Sequence, residues 1–299
     1  MALYLGSTGI TKAYLGATEI TKAYLGATEV LSASSFITGA AAAYSLRKLS
    51  NAVSNVVRVR RSSDNFEQDF TAAQVSNGTL ESFCGVGDGF VATWYDQSGN
   101  GNHAAQPTTT EQPKIVDGGS LVADGLDFDG VNDGLFGSHI LNTDDVLYAA
   151  VVAKNKNFSG RRWYVGNVFY NAFNYNGGFA VEENTFNRTG NIAGWLDDRG
   201  VNDAVQDGLS SLTQNQVHLL SFDLSNGSSK FHLDGSLVNT FSTSMNSEDG
   251  GGVLNIGNIP AGSAGLEGSI KEIIIYNSDQ SANRAAIEDN INAHYNIYP

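Results

Sequence analysis

The chain has 299 residues, 34 glycines, only 4 prolines and 16% charged residues. That is room for one large all-β domain or two modest ones, built from short strands and tight turns rather than a helical bundle. Lys plus Arg is 17 against 31 Asp plus Glu, a net charge of −14, which argues against nucleic acid as a partner because phosphate binding needs a basic face.

Residues 3–30 repeat one phrase, LYLGSTGITK, AYLGATEITK and AYLGATEV. Gly6, Gly16 and Gly26 with the small polar residues after them predict tight turns. ITKAYLG between the turns predicts a strand, so the repeats form a small meander. A few short strands cannot bury both faces alone, so this strip needs a partner. The N-terminus has neither a charged n-region nor a continuous apolar h-region, so no secretory signal is expected. No stretch of about 18 apolar residues predicts a membrane span.

Residues 31–39 are a small-residue joint. Ala43, Leu46, Leu49 and Val53 fall near helical spacing and predict a helix over 40–53. SNVVRVRRSSDN predicts a strand whose Arg58, Arg60 and Arg61 find Asp64, Glu67 and Asp69 as partners. FTAAQVSNGTLESFC is read as a short helix or a loop. Cys84, the only cysteine, allows no disulfide within the chain and has no nearby base in sequence, so it reads as a buried, inert thiol. From about residue 90, GFVATWYD, LYAAVVAK, RRWYVGNVFY, HLLSFDL, SSKFHLDG, GVLNIGNI and GSIKEIIIYN predict strands separated by Gly/Asn/Asp/Ser turns. This spacing belongs to a β-sandwich or jelly roll. Ser278 and Asp279 are cap candidates for a terminal helix carrying Ala286, Ile287, Ile291 and His294. The predicted fold is all-β: an N-terminal β-repeat over 1–32 and a jelly-roll body with a few short helices over 33–299.

Two resemblances attach to these segments. LDFDGVND, HLLSFDLSNGSSKFHLDG and LEGSIKEIIIYNSDQSANRAAIEDNINAHY follow the order of concanavalin-like, laminin-G-type jelly rolls. AYSLRKLSNAVSNVVRVRRSSDNFEQDF with WYDQSGNGNHA (94–104) resembles the catalytic domain of α-L-arabinofuranosidase B enzymes, a stretch that also recurs in bacteriophage proteins. That resemblance implies a retaining glycosidase, which needs two carboxyl groups about 5 Å apart. VEENTF places Glu182 at the nucleophile position, Glu183 where the family has Asn, and Asn184 in register. NIGNIP places Ile259 where the family has its acid, and an isoleucine cannot protonate a leaving group. Arg161 and Arg162 stand where the family has a vicinal cysteine pair. The resemblance therefore implies a kept fold and a lost catalytic pair.

Three groups are candidate sites. Asp127, Asp129, Asn132 and Asp133 offer hard oxygens for Ca²⁺, the one cofactor the residues suggest, or else form a turn that bonds its own backbone. Asp96, Asn100 and His103, with Gln97 and Asn102, form either a sugar-binding rim or a self-bonded brace. Trp163, Tyr164, Phe169, Tyr170, Phe173 and Tyr175, with Trp195, pack in the core or stack on a sugar. An exposed aromatic set beside Arg161, Arg162, Glu182 and Asn184 is the preferred ligand surface. His218, His232 and His294 are isolated and lack metal-ligand spacing. No G-x-S-x-G elbow occurs.

The sequence expectation is a bacteriophage virion protein, a tail fibre, collar fibre or head-decoration component, assembled in the host cytoplasm. Residues 1–30 contact other virion proteins, and the body is displayed to bind host-surface glycan without catalysis. The chain is expected to be a homo-oligomer, a trimer being common for fibres, with no nucleic-acid partner and no membrane insertion. An arabinofuranosidase-type hydrolase using Glu182, with Glu183, Asp197, Asp198 or Glu267 as acid, is the rival. A decoration protein without ligand is the third reading.

Overall fold

The computed structural model describes residues 37–140, 146–158, 160–171, 174–183, 192–197, 212–225, 227–241, 252–259 and 264–299, and the backbone of six short strands before residue 33. Those six pair two by two: β1 (Tyr4–Leu5) with β2 (Thr8–Gly9), β3 (Ala13–Leu15) with β4 (Thr18–Ile20), and β5 (Lys22–Leu25) with β6 (Thr28–Ser32). Each repeat thus pairs its own two strands, where the sequence had suggested one continuous meander.

The body begins with β7 (Ala42–Ser45), β8 (Asn55–Arg61) and β9 (Glu67–Thr71), followed by the short helices α1 (Ala72–Ser76) and α2 (Thr79–Cys84). Thr71 caps α1 in a reciprocal arrangement with Gln74, which explains why a strand stops and a helix starts there. Next come β10 (Gly89–Trp94), β11 (Ala104–Ala105), β12 (Lys114–Asp117), β13 (Ser120–Leu121), β14 (Leu126–Asp129) and β15 (Leu135–Gly137). The long strands follow: β16 (Val146–Asn155), β17 (Arg162–Asn171), β18 (Asn174–Glu183), β19 (Ile192–Asp197) and β20 (Val217–Ser225). The chain ends with β21 (Ser229–Leu233), β22 (Ser236–Phe241), β23 (Val253–Ile256), β24 (Glu267–Tyr276) and α3 (Arg284–Tyr295).

All pairings are antiparallel. One layer runs β14–β24–β16–β20–β21–β22, with β7 also lying along β24. The other runs β15–β23–β17–β18–β19. The β8, β10 and β12 strands join the layers at one end. Alternation sends Leu147, Ala149, Val151 and Ala153 of β16 inward, where Phe222, Ile273, Val165, Phe179, Val181 and Ile256 meet them in one core. The opposite side of β16, Tyr148, Ala150 and Val152, packs beneath Ile287 and Ile291 of α3. The all-β sandwich expected from the sequence is what the chain forms, and each of the eight predicted body strands is present.

Two expectations are corrected. Residues 40–53 are not a helix: Ala42–Ser45 is a fully buried strand in register with Glu272–Ile275. The terminal helix starts at Asn283 rather than at Ser278 or Asp279; the Asp279 carboxylate instead accepts from the Ser281 N–H at 2.8 Å. No described helix is long and apolar enough to cross a membrane.

Candidate functional site

The most chemically loaded surface of the body is the outer face of the β15–β23–β17–β18–β19 layer. Val181 of β18 enters the core, so Glu182 faces outward, paired in register with Trp163 on one side and Ala193 on the other. A second row across the same face runs Asn255, Gly166, Ala180, Trp195. Gly166 is required here: a Cβ would sit 2.3 Å from Cζ2 of Trp163, so the indole lies directly over this glycine. The indole N–H donates to the Asn255 carbonyl at 3.2 Å, and Trp163, Ala180, Ile259 and Ala264 pack as a small cluster of their own.

Glu182 is completely buried, and its carboxylate accepts a hydrogen bond from the Arg161 guanidinium, whose side chain keeps 24% of its exposure. The same guanidinium lies 5.5 Å from the Trp163 ring centre, within reach of a cation–π contact. Arg161 therefore roofs both the carboxylate and the indole. Arg162 points elsewhere, donating to the carbonyls of Asn157 at 3.1 Å and Gly265 at 2.9 Å. Glu267 is held by the Asn157 amide at 2.7 Å. Tyr164 is fully buried in the main core, and Trp163 is as deeply covered on the other face. Both belong to the interior, not to an exposed aromatic platform. Asn184 lies outside the described residues, as do the side chains of Phe169, Tyr170, Phe173, Tyr175 and Trp195.

The sequence reading passed over Asn255. It is fully buried, and its side-chain carbonyl has no hydrogen-bond partner among the described residues. The signal was present in VLNI: Leu254 and Ile256 face the core, so period two turns Asn255 outward onto the Glu182 face.

The 96–103 loop is a brace. Asp96 is fully buried and accepts from Ala43 N at 2.9 Å, Ser98 N at 2.9 Å, Ser98 Oγ at 2.7 Å and Asn102 N at 3.0 Å. Gln97 donates to the carbonyls of Ser45 and Arg47 and accepts from Leu49 N at 2.8 Å. Asn100 donates to the carbonyls of Ala40 and Ala41, and His103 Nδ1 accepts from Asp96 N at 3.1 Å. These contacts also explain the missing helix: backbone groups of residues 40–49 that a helix would pair internally are taken by this loop.

The Asp127–Asp133 cluster closes on itself. Asp129 Oδ1 accepts from the N–H groups of Val131, Asn132 and Asp133, and Asp133 Oδ2 accepts from Asp129 N at 3.0 Å. Asp127 is ion-paired with Lys156, and Asn132 is half-buried. Burial, and then the nearby Asp129 charge, push the Asp133 carboxyl up to about 7. Among the described residues no three His, Cys, Asp or Glu side chains converge as metal ligands. Cys84 is buried, and burial pushes its thiol up to about 11, away from the reactive thiolate. His218 Nδ1 lies 2.7 Å from Asp234 Oδ2, a contact that holds the hairpin turn at Asp234–Gly235.

No protein-family profile matches the chain, and no curated protein does. Solved structures do. A Glu-to-Gln mutant of a glycoside hydrolase family 54 α-L-arabinofuranosidase, soaked with 4-nitrophenyl α-L-arabinofuranoside, superposes with a TM-score of 0.62 at 16% identity, over 83% of this chain. An arabinofuranosidase complexed with arabinofuranosyl-α-1,2-xylobiose gives a TM-score of 0.60 at 15% identity, also over 83%. The chain spans 62% of the length of each. It therefore has a β-sandwich fold resembling that of the family 54 arabinofuranosidases, as the WYDQSGNGNHA stretch had implied.

Proposed function

We propose that the body is a carbohydrate-adhesion module that holds a glycan without cleaving it, and that residues 1–30 attach it to a bacteriophage particle. The observation that carries the non-catalytic half is the state of Glu182. A retaining glycosidase needs a free carboxylate and a second carboxyl group about 5 Å away. Here Arg161 occupies the Glu182 carboxylate. The position implied for the acid is Ile259, which is 1% exposed and packs against Trp163. The part-exposed Arg161 remains as a group matched to sugar hydroxyls. The arabinofuranosidase-like fold and the acidic chain, unsuited to a polyanion, support a sugar as ligand. The self-contained N-terminal hairpins support attachment to other virion proteins, with copies of the chain assembling as an oligomer.

One observation favours the hydrolase rival: a glutamate is retained on the face where the resemblance puts the nucleophile. A glycan array with the purified chain, run beside an aryl-arabinofuranoside assay, separates the readings. Glycan binding without turnover is expected. Turnover that disappears in Glu182→Gln overturns the adhesion reading, and neither binding nor turnover favours a purely structural decoration protein. Deleting residues 1–30 should leave a folded body that no longer joins particles; incorporation of the truncated chain would refute the attachment role.

A further inference from the structure

α3 ends at Tyr295, and beside its last turn opens a cleft of about 490 Å³. Its walls are α1, the residues after β7 and the residues after β13. Leu46, Val75, Leu121 and Val122 make its lining mainly apolar.

The rim carries Arg47, Lys48 and Lys271, and none of the lining residues is acidic. In a chain with a net charge of −14, that local sign is unexpected. The acids paired with these cations do not cancel it, and Glu81, beyond the rim, accepts from Leu121 N at 2.9 Å. Arg47 is neutralised by Glu272, its Nε and Nη2 donating at 2.7 and 2.8 Å. Asp124 is shared by two ammonium groups, Lys154 and Lys271, so one positive charge stays uncompensated. Lys48 is exposed and forms no ion pair among the described residues, adding a second.

We propose that this cleft binds a small amphipathic anion: an aliphatic or aromatic body bearing one carboxylate, sulfonate or phosphate group. The body lies on Leu46, Val75, Leu121 and Val122, and the anion meets Lys48 and Lys271. An apolar cleft with a few placed charges is the usual build of a small-molecule site, and the uncompensated rim selects the sign of the charge.

The test uses the full chain and two dyes of similar shape, anionic 1-anilinonaphthalene-8-sulfonate and neutral N-phenyl-1-naphthylamine, titrated by fluorescence. One saturable site for the anionic dye is expected. Lys48→Glu should weaken it roughly fivefold and leave the neutral dye unchanged. Ala73→Trp and Ala123→Trp fill the cleft from different walls, so a folding failure in one leaves the other, and each should abolish both dyes while circular dichroism stays native. Absence of a saturable site overturns the proposal. So does unchanged dye binding in the folded filled variants, or an equal effect of Lys48→Glu on both dyes.

Discussion

Replacing Asp96 by alanine removes one acceptor from three backbone N–H groups at once, those of Ala43, Ser98 and Asn102. Each buried donor left without a partner costs about 1–3 kcal/mol. Gly99 and Asn100 are exposed, so water can re-satisfy the Ser98 and Asn102 groups, whereas Ala43 is fully buried against β24. The expected loss is therefore about 1–3 kcal/mol, set by the Ala43 donor, or a melting temperature lower by roughly 5 °C for a body of this size. Asp96→Asn keeps one carbonyl acceptor and should lose about half as much. Denaturant unfolding followed by tryptophan fluorescence measures both, because Trp94 stands two residues away in the core. A loss below about 1 kcal/mol, with glycan binding abolished instead, would refute the brace and make Asp96 part of a sugar rim.

Three other outcomes are expected. Arg161→Met should destabilise the body by about 2–4 kcal/mol by removing the guanidinium that pairs with the buried Glu182 carboxylate, and adding Glu182→Gln should recover most of it; a double-mutant cycle in urea checks this. Gly166→Ala should cost about 1–3 kcal/mol and shift tryptophan emission, because the new methyl meets the Trp163 ring; unchanged emission and stability would contradict the indole's placement. The Asp133 carboxyl, held near 7 in the fold, keeps its proton after the unfolded chain has lost it. Its contribution should fall as pH rises from about 4 to 7 and then level off, by up to about 4 kcal/mol. Asp133→Asn should be more stable than the parent at pH 8 and should lose that slope, as read from unfolding curves at several pH values.

The sandwich was legible in the sequence because its strands are long, β-branched and bounded by Gly/Asn/Asp turns. Residues 40–53 misled because their apolar spacing fits a helix, while the groups that decide the outcome, Asp96 and Gln97, lie some 50 residues away. No local pattern reports such a contact. The aromatic stretch misled for a related reason. Alternation implies that half of a strand's side chains face solvent, yet at the start of β17 both faces are covered, with Tyr164 in the main core and Trp163 under Arg161. Glu182 was legible as a position, but its partnership with Arg161 needed the register between β17 and β18. Asn255 was missed, although period two in VLNI turns it away from the core.

The pairing of β7 with β24 also sets an order of events. Ala42 meets Ile275 and Ser45 meets Glu272, so one of the first strands of the body closes on the last strand of the chain. Contacts so distant in sequence form slowly, since the long intervening loop must be closed before they contribute. On the ribosome the N-terminal hairpins emerge long before β24 is made. Residues 42–45 can meet the 96–103 loop early, but they wait for their strand partner until almost the whole chain has been synthesised. Translation that stops before residue 276 therefore yields a chain that carries its N-terminal repeats but cannot close its body.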